Sequence, residues 1–152
     1  MDTVMRTSRR QVLLGGAGLL SVALVRPALA TPDDMQAAIR ALIGEAKPQP
    51  GRIHLEIPQL VENGNAAPVT VTVDSPMSEA DHVKAIGLFN EKNPQLNVAV
   101  FHLGPRAGRA RIETRMRLAT SQTITALAMM SDGSVWSDTA QVIVTLAACI
   151  EG

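Results

Sequence analysis

The stretch 109-RARIETRMRL-118 decides the fold of this chain, because its side chains alternate in character over ten positions. The residues at even numbers are apolar or, at Thr114, small, whereas the residues at odd numbers are all charged. Alternation with a period of two is typical of a β-strand that has one buried face and one exposed face. The stretch therefore predicts a strand that covers a hydrophobic core on one side only.

Six further segments share the length and the apolar content of short strands. They are residues 52–57, 69–73, 83–88, 96–103, 122–130 and 140–146. The sequence GPRAG at 104–108 predicts a hairpin turn, and Asp132-Gly133 is a strong two-residue turn signal. About seven short strands at this spacing predict an all-β chain folded as a β-sandwich.

One segment, 31-TPDDMQAAIRALIG-44, has the pattern of a helix instead. Thr31 can cap its N-terminus, Pro32 suits its first turn, and Gly44 ends it. Apolar side chains recur at helical spacing in between, at Met35, Ile39, Leu42 and Ile43. The sequence therefore predicts one short N-terminal helix beside the sandwich.

The first 30 residues have the three parts of a secretory signal. Arg9 and Arg10 precede an uncharged, largely apolar run over residues 12–25, and Ala28 and Ala30 form an A-x-A cleavage site. The paired arginines favour the twin-arginine route, which leads to the periplasm. The alternative is a single-pass membrane anchor, but the apolar run is too short to span a bilayer.

Removal of the signal would leave residues 31–152, which by size form one domain. We divide this part into a sandwich domain with its helix, residues 31–146, and a tail, residues 147–152. It contains ten basic and 13 acidic side chains, a net charge of −3. That balance gives no reason to expect nucleic acid or an anionic membrane as a partner.

The tail contains the only cysteine of the chain, Cys149. An unpaired cysteine in an exported protein indicates a reactive thiol or an intermolecular bond. The alternative is a small apolar residue that ends the last strand and reacts with nothing. The position near the end of the sequence favours the reactive thiol, although Glu151 and the terminal carboxylate should disfavour the thiolate.

Five arginines lie within twelve residues and form a basic row. They are Arg106, Arg109, Arg111, Arg115 and Arg117. Two interpretations stay open: a solvated strand face that resists edge pairing, or a docking surface for a partner or an anion.

The three histidines predict no metal site. His54, His82 and His102 lie on separate predicted segments without the spacing of metal ligands. A blue-copper site is also excluded, because such a site needs a His and usually a Met after the cysteine, and neither follows Cys149.

Four ordered segments resemble SoxY, the sulfur-carrier subunit of bacterial thiosulfate oxidation. They are residues 57–76, 91–105, 113–136 and 142–149. The resemblance implies an immunoglobulin-like β-sandwich that forms a heterodimer with a second small sandwich, SoxZ. It also implies that Cys149 is the covalent attachment point for the substrate, and that the carrier has no cofactor and catalyses nothing itself.

The same resemblance implies three kinds of partner enzyme. A c-type haem enzyme couples thiosulfate to the cysteine, a manganese-dependent hydrolase removes sulfate, and in many systems a sulfane dehydrogenase oxidises the remaining sulfur. Two other functions stay open. The chain could be a periplasmic immunoglobulin-like interaction module with an incidental cysteine, or a SoxY-like paralogue that serves another oxidation system.

The tail departs from the family pattern, which is Gly-Gly-Cys-Gly-Gly. Here Ala147 and Ala148 precede the cysteine, and Ile150, Glu151 and Gly152 follow it. Alanine excludes backbone angles that glycine permits. We therefore expect a stiffer arm and a last strand that extends by a residue or two.

Overall fold

The computed structural model of the protein describes residues 30–148, and within this range the chain forms one α-helix and eight strands. The helix is α1 (Pro32–Ile43). The strands are β1 (Ile53–Glu56), β2 (Leu60–Asn63), β3 (Ala67–Val73), β4 (Val83–Asn90), β5 (Asn97–His102), β6 (Arg111–Met116), β7 (Gln122–Met130) and β8 (Val135–Leu146). The predicted signal, apart from Ala30, and residues 149–152 lie outside the described residues.

The strands form two sheets, which confirms the predicted β-sandwich. One sheet has the order β1-β3-β6, and the other has the order β2-β8-β7-β4-β5. All pairs are antiparallel except β2 with β8. Fully buried aliphatic side chains from both sheets form the main core, among them Val69 and Val71 of β3, Ile86 and Leu88 of β4, and Ile124 of β7.

The alternation in 109–118 has the predicted effect. Met116 and Leu118 point into the core, whereas Arg111, Glu113 and Arg115 are exposed. Among the described strands, β6 lies at the edge of its sheet and pairs with β3 alone. Charged side chains on an exposed edge discourage pairing with another chain, so this pattern suits its place in the sheet.

The eighth strand, β2, was not predicted from the sequence. It is four residues long and has only one buried side chain, that of Val61. Its partners come from the far end of the chain, with Leu60 opposite Ile143 and Val61 opposite Val144. A short strand that pairs in parallel with a distant segment leaves almost no local pattern.

The two turn predictions had different outcomes. Asp132-Gly133 joins the antiparallel pair β7 and β8, and Gly133 has a φ of 85°, so this prediction is confirmed. The hairpin predicted at residues 104–108 is wrong. β5 pairs with β4 and β6 pairs with β3, so this connection crosses from one sheet to the other through a short 3₁₀ turn, Pro105–Ala107.

Helix α1 is confirmed, and it covers the outer face of the five-stranded sheet. Met35 and Ile39 pack against Phe89, Leu127 and Val135 in a second apolar cluster. Because those sheet residues point away from the main core, the helix gives the sheet a second buried face. No helix within residues 30–148 has the length and hydropathy needed to cross a membrane.

The start of the helix should be sensitive to pH. Hydrogen bonds from the hydroxyl and the backbone N–H of Thr31, at 2.7 and 2.9 Å, lower the pKa of Asp34. A lowered folded-state pKa stabilises the protein above the unfolded pKa, which is about 3.9, and this stabilisation is lost as the pH falls through the folded value. We therefore expect Asp34→Asn to destabilise the protein at neutral pH and much less at an acidic pH well below the unfolded pKa.

Urea unfolding at both pH values measures this difference. The matched control is Asp33→Asn, which removes a charge from the same helical turn but from outside the capping box. A destabilisation by Asp34→Asn that does not change with pH would contradict the prediction.

Candidate functional site

The end of β8 leads to the predicted attachment residue. The strand stops at Leu146, so the expected extension by the two alanines is wrong. Ala147 is exposed, but Ala148 is only 6% exposed, and its N–H donates a hydrogen bond of 3.1 Å to the carbonyl of Leu118. Cys149 itself lies outside the described residues, so its role stays a prediction. The structure describes the residue directly before it.

Leu118 joins three segments at this end of the sandwich. Its side chain is fully buried in the main core. Its N–H donates to the carbonyl of Gly64 at 2.8 Å, and its carbonyl accepts from Ala148. One residue thus connects the turn after β2, the chain after β6 and the chain that leads to Cys149. We call Gly64, Leu118 and Ala148 the backbone anchor.

Gly64 is required in the anchor because no space is left for a side chain. A Cβ atom at this position would lie 2.5 Å from the Leu118 oxygen and 2.9 Å from the Ala148 nitrogen. Both neighbours are backbone atoms, which cannot rotate away as the end of a flexible side chain can. The sequence did not predict this role, because the two close neighbours of Gly64 come from distant segments of the chain.

The side chain of Asn93 holds the chain on both sides of Leu118. Its amide nitrogen donates to the carbonyl of Arg117 at 2.7 Å, and its oxygen accepts from the N–H of Ala119 at 3.0 Å. The same oxygen also accepts from the buried side chain of Gln122 at 2.7 Å. Sequence reasoning missed Asn93, which lies in a polar loop between β4 and β5 and has partners in a distant segment.

The last strand is tied to the same region by two side-chain hydroxyls. The Ser121 hydroxyl accepts from the N–H of Val144 at 2.9 Å, and the Thr145 hydroxyl donates to the carbonyl of Glu62 at 3.2 Å. These bonds fix the path of β8 shortly before Ala148. The residue next to Cys149 is therefore positioned by several bonds and not by one alone.

The basic row is exposed and runs towards the anchor. Arg111 and Arg115 lie on the outer face of β6, with Glu113 between them and paired with Arg111. Arg106 and Arg109 precede the strand, and Arg117 is adjacent to Leu118. Apart from the pair with Arg111, no carboxylate among residues 30–148 forms an ion pair with these arginines. Of the five, Arg117 is the one that the chain brings to the anchor.

The three histidines lie apart. His54 contacts the Asp74 carboxylate at 3.0 Å, His82 contacts the carbonyl of Ser78 at 3.0 Å, and His102 ends β5. Within the described part of the chain, no group of three or more His, Cys, Asp or Glu side chains could hold a metal ion.

Three large apolar side chains are exposed on β2 and β8. Leu60 and Ile143 stand opposite each other in the parallel pair and are 54% and 60% exposed. Leu146, at the end of β8, is 63% exposed. Neighbouring apolar side chains that face solvent often mark a protein–protein contact. The sequence did not predict this surface, because β2 was not predicted.

Comparison with known proteins agrees with the resemblance found in the sequence. A family model described as "Sulfur oxidation protein SoxY" matches residues 39–149, so that its match ends at Cys149. No protein with a curated description matches the chain.

Solved structures with the same fold include a carrier and several reductases. The sulfur carrier protein SoxY from Chlorobium limicola f thiosulfatophilum is 27% identical, with a TM-score of 0.63, and the match covers 75% of this chain and 98% of that chain. A putative superoxide reductase from Thermotoga maritima is 20% identical, with a TM-score of 0.56 and coverage of 65% and 93%. Superoxide reductase (neelaredoxin) from Ignicoccus hospitalis is 16% identical, with a TM-score of 0.55 and coverage of 76% and 94%. The last two similarities show the fold alone.

The contribution of Asn93 can be tested by its removal. Asn93→Ala would leave part-buried groups around Leu118 without partners, and we expect a loss of about 1–3 kcal/mol in the free energy of unfolding. The control is Asn65→Ala, because the Asn65 side chain is exposed and makes one exposed bond to Asn63. It should change stability by less than about 0.5 kcal/mol. Equal losses in urea unfolding of the two variants would contradict the prediction.

Proposed function

Because this chain belongs to the SoxY family of sulfur oxidation proteins, we propose that it is an exported sulfur carrier that holds its cargo covalently on Cys149. The match to the family model, which reaches Cys149, is the observation that carries this proposal. Two features support it. Cys149 is the only thiol of the chain, and the residue before it is buried and hydrogen-bonded to Leu118 of the domain. The carrier itself catalyses no step.

The proposed cycle begins with the formation of a disulfide bond. The Cys149 thiol and thiosulfate join through a new S–S bond, with release of one proton and two electrons, and a c-type haem enzyme accepts the electrons. Water then attacks the terminal sulfonate on a manganese-dependent hydrolase, which releases sulfate and protons and leaves a persulfide on Cys149. A sulfane dehydrogenase is the proposed consumer of that persulfide.

A cysteine close to an acidic side chain suits a carrier of this kind. Glu151 follows Cys149 by two residues, and a carboxylate so close in the sequence should disfavour the thiolate, which is the reactive form of cysteine. Activation would then wait until the tail is bound by a coupling enzyme. This arrangement would protect the thiol from unwanted oxidation in the periplasm.

Export and processing complete the proposal. We propose that the twin-arginine signal is removed after Ala30, which would leave Thr31 as the first residue. The helix cap supports this boundary, since Thr31 N–H already donates to the Asp34 carboxylate at 2.9 Å. Cleavage would turn that N–H into an ammonium group and strengthen the contact, so the fold would lose nothing.

The attachment of sulfur can be tested by intact mass spectrometry of the protein purified from the periplasm. We expect a chain that begins at Thr31, with sulfur adducts on Cys149 that a reductant removes. Cys149→Ser should abolish the adducts, because a serine hydroxyl cannot form the S–S bond that holds the cargo. A wild-type chain without any adduct after incubation with thiosulfate and the coupling enzyme would rule out the carrier function in favour of an interaction module.

We also propose that a SoxZ-like subunit binds the exposed face around Leu60 and Ile143. Burial of two aliphatic side chains would contribute about 1.5–3 kcal/mol each. Ile143→Glu should therefore weaken the 1:1 heterodimer by tenfold or more, which sedimentation or calorimetry would measure.

The control for this test is Gln36→Glu. It places the same charge on the exposed side of α1 and should leave the affinity for the SoxZ-like subunit unchanged. If both variants bind like the wild type, the heterodimer contact lies elsewhere on the domain.

A further inference from the structure

Ala148 is fixed more firmly than a residue in a free tail would be. Its side chain is buried, and its N–H donates a hydrogen bond to the carbonyl of Leu118. Leu118 in turn donates its own N–H to the carbonyl of Gly64. Covalent geometry then limits Cys149, because consecutive Cα atoms are about 3.8 Å apart. If the tail were free after Leu146, the three residues 147–149 would let Cys149 reach about 10 Å from the end of the strand.

We propose that the backbone anchor is a positioning device that presents the Cys149 sulfur close to the end of the sandwich, an inference that rests on the proposed carrier function. Gly64 is its positioning residue. A side chain there would collide with the Leu118 oxygen and the Ala148 nitrogen, and would separate the two atoms that hold the tail. The attachment point is then one residue from the anchor and not at the end of a long arm.

A short fixed arm determines how a partner enzyme reaches the sulfur. The enzyme must bring its reacting groups to the end of the sandwich, so its binding site must also accommodate the residues next to the anchor. These are the exposed side chains of Asn65, Arg117 and Leu146. They offer an amide, a cation and an apolar contact. The partner surface that fits them has a wide opening, with hydrogen-bond acceptors opposite Arg117 and an apolar patch opposite Leu146.

The single cysteine allows the anchor to be tested without any partner. A methanethiosulfonate nitroxide attached to Cys149 reports the motion of the tail through its electron paramagnetic resonance spectrum. We expect a broad, slow component in the wild type and a narrow spectrum in Gly64→Ala. The amide of Ala148 should exchange with deuterium at least about tenfold faster in Gly64→Ala, a factor that corresponds to about 1.4 kcal/mol.

Gly104→Ala is the matched control, because a Cβ at Gly104 would meet no atom within 4 Å. Its nitroxide spectrum and its Ala148 exchange rate should equal those of the wild type. Identical narrow spectra in the wild type and in Gly64→Ala would overturn the proposal that the anchor restrains the tail.

A second variant separates positioning from folding. Insertion of two glycines between Ala148 and Cys149 leaves the anchor intact and adds up to about 7 Å of reach. The nitroxide spectrum should narrow while the exchange rate of the Ala148 amide stays unchanged. With the purified c-type haem coupling enzyme and thiosulfate, kcat/KM for the variant should fall by about tenfold or more, because the sulfur is no longer held in place.

Each outcome of these experiments identifies which proposal has failed. Equal kcat/KM values with and without the insertion would overturn the positioning role and leave covalent carriage intact. A wild-type chain that forms no sulfur adduct on Cys149, but shows the broad nitroxide spectrum, would disprove the carrier function and leave the proposed anchor standing. If Gly64→Ala does not fold by circular dichroism, the insertion variant alone decides.

Discussion

The position of Leu118 is the constraint on which the end of the sandwich depends. Its side chain is buried completely in the core, and removal of such a side chain from water contributes about 1.5–3 kcal/mol. Because the side chain is fixed, the N–H and the carbonyl of the same residue are fixed as well. These two groups bind Gly64 and Ala148. A hydrophobic contact in the core therefore determines where the chain leaves the domain.

Much of the fold could be predicted from local pattern. The strict alternation around β6 predicted both the strand and its exposed face, since side-chain direction in a strand depends only on position along it. The capping residue Thr31 and the apolar stripe likewise predicted α1. Asp132-Gly133 predicted the β7–β8 turn. In each case the residues whose pattern predicts the strand, helix or turn are the same residues that form it.

The candidate site could be predicted only in part, because its contacts join distant segments. Cys149 stands out in the sequence as a single thiol. Gly64 and Asn93, by contrast, resemble ordinary loop residues until β2 is paired with β8 and the chain after β6 is folded against both. The failed hairpin at residues 104–108 has the same cause. Local turn residues indicate that the chain bends, but not which sheet it joins afterwards.

Ala148, one of the two alanines that depart from the family pattern, fits the anchor for a physical reason. Among the described residues other than glycine, only Met77 has a positive φ, so Ala148 adopts a backbone conformation that any L-residue can adopt. It is buried, and its N–H is bonded to the Leu118 carbonyl. Alanine also restricts the unfolded chain more than glycine does, so its presence at an ordered position stabilises that order by about 0.4–1 kcal/mol. The alanine therefore favours an ordered residue directly before Cys149.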